Sequence, residues 1–504
     1  MKQKNITFIF LVWLLSVAVA GAQPLKTLIG DPVENSEQNY FSFAGFDNAN
    51  FYLIEFHNEK KNLTADITAY DRASLKRVFA KPLVVPEFNG DKFSLQEIHF
   101  AEDRIIIFYS FYSKKDNVQQ LMATYYSLDG TPSGIAKEIM TAQGRSKRKS
   151  GIFRVRLSDN RKYFFILNHS TSNYGEDVIE DNYTVKITDA NLKTLYEKDT
   201  DIEHGGETFK RVTVDDNGNV YIFASKWKNQ FSLPEELVRV ISLKTKQSKD
   251  IQLERKNDIY EISEADFYED EKGNTYLAGF YTTKETSKIS PGFYFLQFDA
   301  ESGTIKKDAA VPYTMDDSKK GNDKPKKKIW RSYYGIKGLK FRDDHIAMLT
   351  SKNYSEYGGT VRSSEGMFLT TFDYNFKQLS ETFAYKELNA KKEKEVEYVF
   401  DAPAFSNTES YLLFNDLPEN LRKSNSEFKT TKVFTEGAVA QFVKFDEKGK
   451  AMKQTLFGES GGSSRLIVPG QYLVMDNNET IILTKSGDTY KFCKVFPDDK
   501  KGGK

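Results

Sequence analysis

The sequence predicts an all-β chain folded as a β-propeller of four-stranded antiparallel blades. Eight blades is the reading, with seven as the alternative where the sixth and seventh units are long and poorly bounded. Three observations predict it. First, six stretches rich in β-formers end on an apolar residue or Thr followed by Asp: Tyr70-Asp71, Leu128-Asp129, Thr188-Asp189, Phe298-Asp299, Phe372-Asp373 and Phe445-Asp446. Leu243-Lys244 and Phe496-Pro497 keep the register without the Asp, and successive positions lie 51 to 74 residues apart. A period of that size built from strands and turns belongs to a propeller or array. Second, each unit divides into four strand-like runs. Third, aromatic residues make up 14% of the chain, including 39 Phe and 28 Tyr, with few prolines and evenly spread charge, a folded and β-rich composition.

The chain begins with a processing signal. Lys2 and Lys4 precede the almost wholly apolar run Ile6–Ala20, and Ala20-Gly21-Ala22 offers the small-x-small pattern at which signal peptidases cut. The run of 15 residues is short of the roughly 20 that span a bilayer. No Cys stands at the cut to carry a lipid. This predicts a signal peptide at 1–22, a single propeller domain over 23–497 and a polar tail at 498–504, exported to the periplasm or the cell exterior.

Without residues 1–22 the chain holds 70 basic and 71 acidic residues. That balance opposes a general affinity for nucleic acid or anionic membrane. No later segment is apolar enough to span a membrane. The one cysteine, Cys493, cannot form an internal disulfide and lies in the strand-like run 490–496, so it reads as a packed strand residue.

The clearest unit runs from Phe209 to Leu253. Residues 209–214 alternate like a half-buried strand. Asp215-Asp216-Asn217-Gly218 makes a turn, because Asn-Gly readily takes positive φ. Residues 220–224 alternate little, as an inner strand covered on both faces should. A long connection follows, then a third strand at 236–243 and a polar fourth at 249–253. The Asp of the repeated ending falls between third and fourth strands, where its carboxylate can accept from a backbone N–H two residues on; Gly130, Gly303 and Gly449 close such turns. The units are 40–85, 94–142, 151–200, 207–255, 262–312, 334–387, 398–457 and 472–496. The last has room for three strands only, and the spare run 24–29 is the expected fourth, closing the ring.

Residues 208–226 and 264–282 resemble the NHL and related bacterial propeller repeats through Asp216-Asn-Gly-Asn-Val-Tyr221 and Asp270-Glu-Lys-Gly-Asn-Thr-Tyr276. Aligned from Asp216, the second copy carries one extra residue before its Gly, and the other six units lack Gly-Asn at this turn. The resemblance implies a propeller. It implies no reaction, since propellers host both enzymes and scaffolds.

Gly458-Glu-Ser460-Gly-Gly462 fits the G-x-S-x-G nucleophile pattern and is similar to the Gly-Asp-Ser-Gly-Gly run of trypsin-like proteases. No His follows it, because the last is His345, and no helix-forming run comes next, so it reads as a Gly/Ser connector. His57, His99, His169, His204 and His345 show no metal-ligand spacing, and Asp215–Asn219 lacks the alternation of a calcium loop. Neither metal nor cofactor is expected. The basic runs 145–149 and 324–328, with Lys319-Lys320, fall between units and read as solvated connectors, or else as a docking patch for an anionic glycan or acidic partner.

The long connections between second and third strands carry the functional expectation: 169–181, 225–235, 351–365 and 415–436. In a propeller these emerge on one face. Several begin on Ser or Thr followed by Lys (Ser113, Ser225, Thr283, Ser351, Thr484), and they carry aromatics. Long loops on a rigid scaffold are where binding lives. The expected contact residues are Lys226, Trp227, Phe231, Lys352, Tyr354, Tyr357 and Tyr174, acting on a protein or glycan partner. The plainer reading of Ser/Thr-Lys is a strand meeting water. The alternative function is a polysaccharide-acting enzyme whose carboxylates converge on the ring centre, with Glu176, Asp177, Glu235 and Glu356 as candidates. The sequence favours binding over catalysis and leaves oligomeric state open.

Overall fold

The computed structural model describes residues 25–33, 40–59, 62–83, 94–101, 103–113, 116, 118–143, 152–169, 182–201, 207–226, 235–253, 259–283, 292–299, 304–312, 329–356, 362–389, 398, 400–422, 437–446, 450–457, 465–475 and 478–497. They form eight four-stranded antiparallel sheets. Blade 1 is β2 (Tyr40–Phe46), β3 (Asn50–Glu59), β4 (Asn62–Asp71) and β5 (Arg77–Pro82). Blade 2 is β6 (Ser94–Ala101), β7 (Arg104–Ser113), β8 (Val118–Ser127) and β9 (Pro132–Gln143); blade 3 is β10 (Ile152–Leu157), β11 (Tyr163–His169), β12 (Asn182–Asp189) and β13 (Thr194–Asp201). Blade 4 is β14 (Glu207–Val214), β15 (Val220–Lys226), β16 (Glu235–Ile241) and β17 (Ser248–Gln252); blade 5 is β18 (Ile259–Glu269), β19 (Thr275–Thr283), β20 (Gly292–Phe298) and β21 (Ile305–Pro312). Blade 6 is β22 (Ile329–Phe341), β23 (Ile346–Glu356), β24 (Arg362–Phe372) and β25 (Gln378–Asn389); blade 7 is β26 (Ala402–Phe405), β27 (Ser410–Asp416), β28 (Val439–Phe445) and β29 (Ala451–Thr455).

Blade 8 has β30 (Leu466–Val474), β31 (Thr480–Ser486) and β32 (Thr489–Phe496), and its outer strand is β1 (Lys26–Val33) from the other end of the chain. β1 pairs with β32 from Lys26 opposite Phe496 to Val33 opposite Tyr490. The first strands of successive blades touch in a closed ring, β2 to β6 and on round to β30 and back to β2. The chain is therefore an eight-bladed β-propeller closed by its N-terminal strand, and the seven-blade division is set aside.

The core lies in the seams between blades. The second strands are largely apolar, and β19 and β20 are almost wholly buried. One seam packs Phe51, Tyr70 and Leu75 of blade 1 on Leu483 and Phe492 of blade 8. Another packs Phe280, Phe293 and Phe295 of blade 5 on Met348, Phe372 and Phe376 of blade 6. A blade packs one face on each neighbour, so its second strands show little alternation. Cys493 is one of these seam residues, with no exposure, and burial pushes its thiol up to about 12.

The turn chemistry matches the sequence in kind and corrects it in one register. Between third and fourth strands, Asp129, Asp189 and Asp373 each accept from the backbone N–H two residues on, at 3.0, 2.9 and 2.8 Å. Gly130 takes φ +76° in its turn; residues 303 and 449 lie outside the described residues. Between first and second strands the two Gly-Asn turns are staples built on Asp215 and Asp270, not on Asp216. Asp215 Oδ1 accepts from the N–H of Asn217 and Asn219 at 2.9 and 2.7 Å, and its Oδ2 accepts from Asn219 Nδ2 at 3.0 Å and the Tyr221 hydroxyl at 3.3 Å. Asp270 accepts equivalent bonds from Lys272, Asn274 and Tyr276. Counted from these residues the two copies have equal length, so the extra residue in blade 5 disappears.

Blade 6 supplies a second correction. The connection expected over 351–365 is short, because β23 runs on to Glu356 and β24 starts at Arg362. Tyr354 pairs in register with Ser332 and Ser363, so it belongs to a strand. The segment is polar in sequence and is held as a hairpin by backbone pairing, from Ser351 opposite Met367 to Ser355 opposite Arg362.

Candidate functional site

The ring has two unlike faces. On one, first strands turn into second and third into fourth through short connections, such as 102–103, 158–162 and 215–219. On the other run the inter-blade segments and the second-to-third connections. The latter are long in blades 3, 4, 5 and 7, where they comprise 170–181, 227–234, 284–291 and 417–438. They shrink to 60–61 and 487–488 in blades 1 and 8.

Ser113, Ser225, Thr283 and Thr484 sit at or near the ends of second strands on this long-loop face, and Ser351 midway along β23. Ser225, Ser351 and Thr484 are buried, and the following Lys is half-buried. Lys352 Nζ lies 5.7 Å from the Tyr334 ring centroid and Lys485 Nζ 4.9 Å from that of Tyr490. Lys226 ends β15 in register with Glu207 and Glu235. Trp227, Phe231, Tyr357 and Tyr174 lie outside the described residues, as do Glu176, Asp177, the Ser460 segment and the basic runs. Among the described residues, buried side-chain oxygens without a hydrogen-bond partner occur at both faces: Gln119 Oε1, Asn168 Oδ1, Ser225 Oγ, Asp401 Oδ2, Asp416 Oδ2 and Gln441 Oε1 lie toward the long-loop face, and Thr275 Oγ1 and Thr480 Oγ1 at the short-turn face.

Three of those oxygens belong to the seam between blades 6 and 7. Lys386 and Asp401 form an ion pair with neither side chain exposed. Lys386 also lies 5.6 Å from the Phe414 ring centroid. Asp416 Oδ1 accepts from Leu417 N–H at 2.7 Å and Asn420 Nδ2 at 2.9 Å. Burial pushes the Asp416 carboxyl up to about 6, against the pull of Asn420 and Lys453. Burial pushes Lys453 down to about 8, against the pull of Asp416.

The first strands line the ring centre. In β10, Phe153 and Val155 pack into the seam with blade 2, which leaves Arg154 and Arg156 on the alternate positions. In β14 a register shift between Phe209 and Arg211 breaks the alternation, and Arg211 stands exposed between the buried Phe209 and Val212. Arg156 Nη1 pairs with Glu97 Oε1 at 3.1 Å, and Arg211 Nε with Asp266 Oδ2 at 3.9 Å. Arg154 Nη1 donates to the Phe209 carbonyl at 2.9 Å, and among the described residues it has no carboxylate partner. Burial lowers its pKa, and Arg156 and Arg211 lower it further. Sequence reading missed this group. The signal was there in the polar half of the alternation Phe-Arg-Val-Arg-Leu, but three guanidiniums from two strands become a cluster only once the ring brings β10 and β14 together.

At the short-turn face a cavity of about 340 Å³ is lined by Asp159, Asp215 and Glu269 with Phe267, Tyr268 and Phe341. Glu269 Oε2 accepts from the Asp216 N–H at 3.3 Å. Burial, then the charges of Asp216, Asp215 and Asp159, push the Glu269 carboxyl up to about 8. Among the described residues no group of His, Cys, Asp and Glu is arranged to hold a metal ion. His99 lies between the rings of Phe108 and Phe164 at 6.0 and 5.5 Å, and burial lowers it to about 4. No helix among the described residues is long and apolar enough to cross a membrane.

No protein-family profile matches the chain, and no curated protein sequence does. Solved structures that it resembles in fold include a prolyl endopeptidase, at TM-score 0.39 and 10% identity over 89% of this chain. The chain spans about half, 53%, of that enzyme's length. The WD40 domain of SCAP from fission yeast aligns at TM-score 0.38 and 9% identity, over 94% of this chain and 98% of that one. The β-propeller domain of the Trilobed protease from Pyrococcus furiosus aligns at TM-score 0.34 and 8% identity, over 87% and 98%.

Proposed function

We propose that this protein is an exported propeller, delivered by the signal peptide at 1–22, that acts as a scaffold binding a protein or glycan partner through its long-loop face. One observation carries the reading. The long second-to-third connections of blades 3, 4, 5 and 7 all emerge on one face, while the connections of the opposite face are short. A rigid ring with variable segments on one side is built to present them. The contact residues proposed are Lys226, Trp227, Phe231, Tyr174 and Tyr357 on or beside the long connections, with Lys352 and Tyr354 at the rising hairpin of blade 6. Aromatic rings beside lysines suit sugars and peptide surfaces alike. The Gly-Asn turns of blades 4 and 5 are consistent with descent from an NHL-like repeat.

The test is a Trp227→Ala/Tyr357→Ala double variant, probed on a glycan array and by cross-linked capture from an extract. Loss of the ligand or partner with an unchanged unfolding temperature supports the reading. Full retention by the variant shows that the partner sits elsewhere.

A second reading rests on Glu269. A carboxyl held protonated near neutrality beside an aspartate, in a cavity walled by aromatic rings, has the makings of a general acid for glycoside cleavage. This keeps the enzyme alternative but places its carboxylates at the opposite face from those the sequence suggested. Activity on polysaccharide that survives Glu269→Gln would remove it.

A further inference from the structure

We propose that the ring centre holds an oxyanion site in which Arg154, Arg156 and Arg211 take a carboxylate or sulfate group presented from the long-loop face. The inference deepens the binding reading above by naming the chemistry of the group bound.

The argument is one of charge balance. Two of the three guanidiniums have a carboxylate, Glu97 for Arg156 and Asp266 for Arg211. Those pairs are part-exposed, with side-chain exposures of 45 and 37% and of 47 and 58%, and each is a loose attraction that water screens. Arg154 is the most enclosed of the three and, among the described residues, has only the Phe209 carbonyl. A half-buried cation with no counter-charge, beside two like charges, costs free energy. A chain does not gain stability from such an arrangement, and a guanidinium cannot shed its proton to escape it. An oxyanion between the three removes the repulsion and gives the planar forks the bidentate partner they fit.

Position gives the site a direction. β10 and β14 both run from the long-loop face to the short-turn face. From Arg154 to the strand end at Leu157 is three residues, a rise of about 10 Å. Beyond that end lie Asp159, Asp216 and Glu269, a group of like charges that adds to burial in raising the Glu269 carboxyl. An anion is therefore repelled at the short-turn mouth and drawn from the other. The blades that carry the arginines, 3 and 4, also carry long second-to-third connections, 170–181 and 227–234.

The experiment is calorimetric titration of the full chain with inorganic sulfate and, separately, with glucuronate, at constant ionic strength. The proposal expects binding of at least one of them. It expects Arg154→Gln to weaken that binding by about tenfold or more, as loss of a charge-assisted hydrogen bond does, and Arg154→Lys to weaken it less. Arg154→Gln should also leave the ligand-free unfolding temperature unchanged or higher, because it removes a repulsion. Binding of neither probe, or binding that Arg154→Gln leaves intact, overturns the site. Because free anions test the arginines alone, failure here is separate from failure of the Trp227/Tyr357 variant, which tests the long-loop face.

Discussion

Asp215 and Asp416 are both buried, at 1 and 0% exposure, and burial raises both carboxyls. They stand on opposite faces of the ring and are treated differently. Asp215 has both oxygens filled, by two backbone N–H groups, an amide and a phenol that all come from its own turn. Asp416 has one oxygen filled and the other, among the described residues, without a partner. A local staple satisfies its carboxylate within five or six residues and asks nothing of the rest of the molecule. A carboxylate with a free oxygen, set among Lys453, Lys386 and Gln441, leaves part of its bonding to something else. The Asp215 carboxylate is satisfied by its own turn; the Asp416 carboxylate at the end of β27 is not.

The largest effect that would sharpen this contrast is expected at Lys386. Lys386→Met leaves Asp401 buried without its cation and should cost about 3–5 kcal/mol, read as a fall in the denaturation midpoint. Lys386→Met/Asp401→Leu removes both charges and should recover most of that loss. If the single variant is as stable as the wild type, the pair is not sealed from water and the seam is open.

Asp416 gives a smaller effect with a defined pH dependence. Its carboxyl titrates at about 6 in the fold against 3.8 ordinarily, so the folded protein holds that proton more tightly than the unfolded chain. The sign follows: the native state is favoured below pH 3.8, loses stability as pH rises to about 6, and carries the full cost above it. A gap of about two units corresponds to about 3 kcal/mol. Asp416→Asn should therefore flatten the stability profile across that window and raise stability at neutral pH. A variant whose profile keeps the wild-type slope there would show that another group titrates.

The same contrast explains what could be read from the residues. Blade boundaries were legible because each is marked by local turn chemistry: Asp129, Asp189 and Asp373 bind their own turns, and Asn217-Gly218 needs no distant partner. Closure was legible by arithmetic, since three strands at one end and one at the other make a blade. The ring-centre arginines and the Lys386–Asp401 pair were not, because their meaning depends on which strand lies opposite. Lys386 reads as a solvated edge-strand lysine until β27 of the next blade lays Phe414 against it. The rise of β23 past Ser351 was hidden for another reason, since its residues carry no apolar alternation and read as loop.

The smallest effect tests whether the two stapled turns are as self-contained as the bonds to Asp215 and Asp270 imply. Gly218 and Gly273 take φ +79° and +77° in equivalent turns, where any other residue pays for the left-handed backbone, roughly 1 kcal/mol. Their surroundings differ. A methyl on Gly218 would lie 2.4 Å from Leu243 Cδ2 and 3.2 Å from the Tyr163 ring of blade 3, whereas on Gly273 its nearest neighbour is Glu269 Oε1 at 3.6 Å. Gly273→Ala should therefore cost about the backbone term alone, roughly 1 kcal/mol, and Gly218→Ala distinctly more, because Leu243 and Tyr163 must move. Equal losses in urea titrations would mean that the blade 4 turn yields freely, and that the staple on Asp215, not its packing against blade 3, sets the stability of this turn.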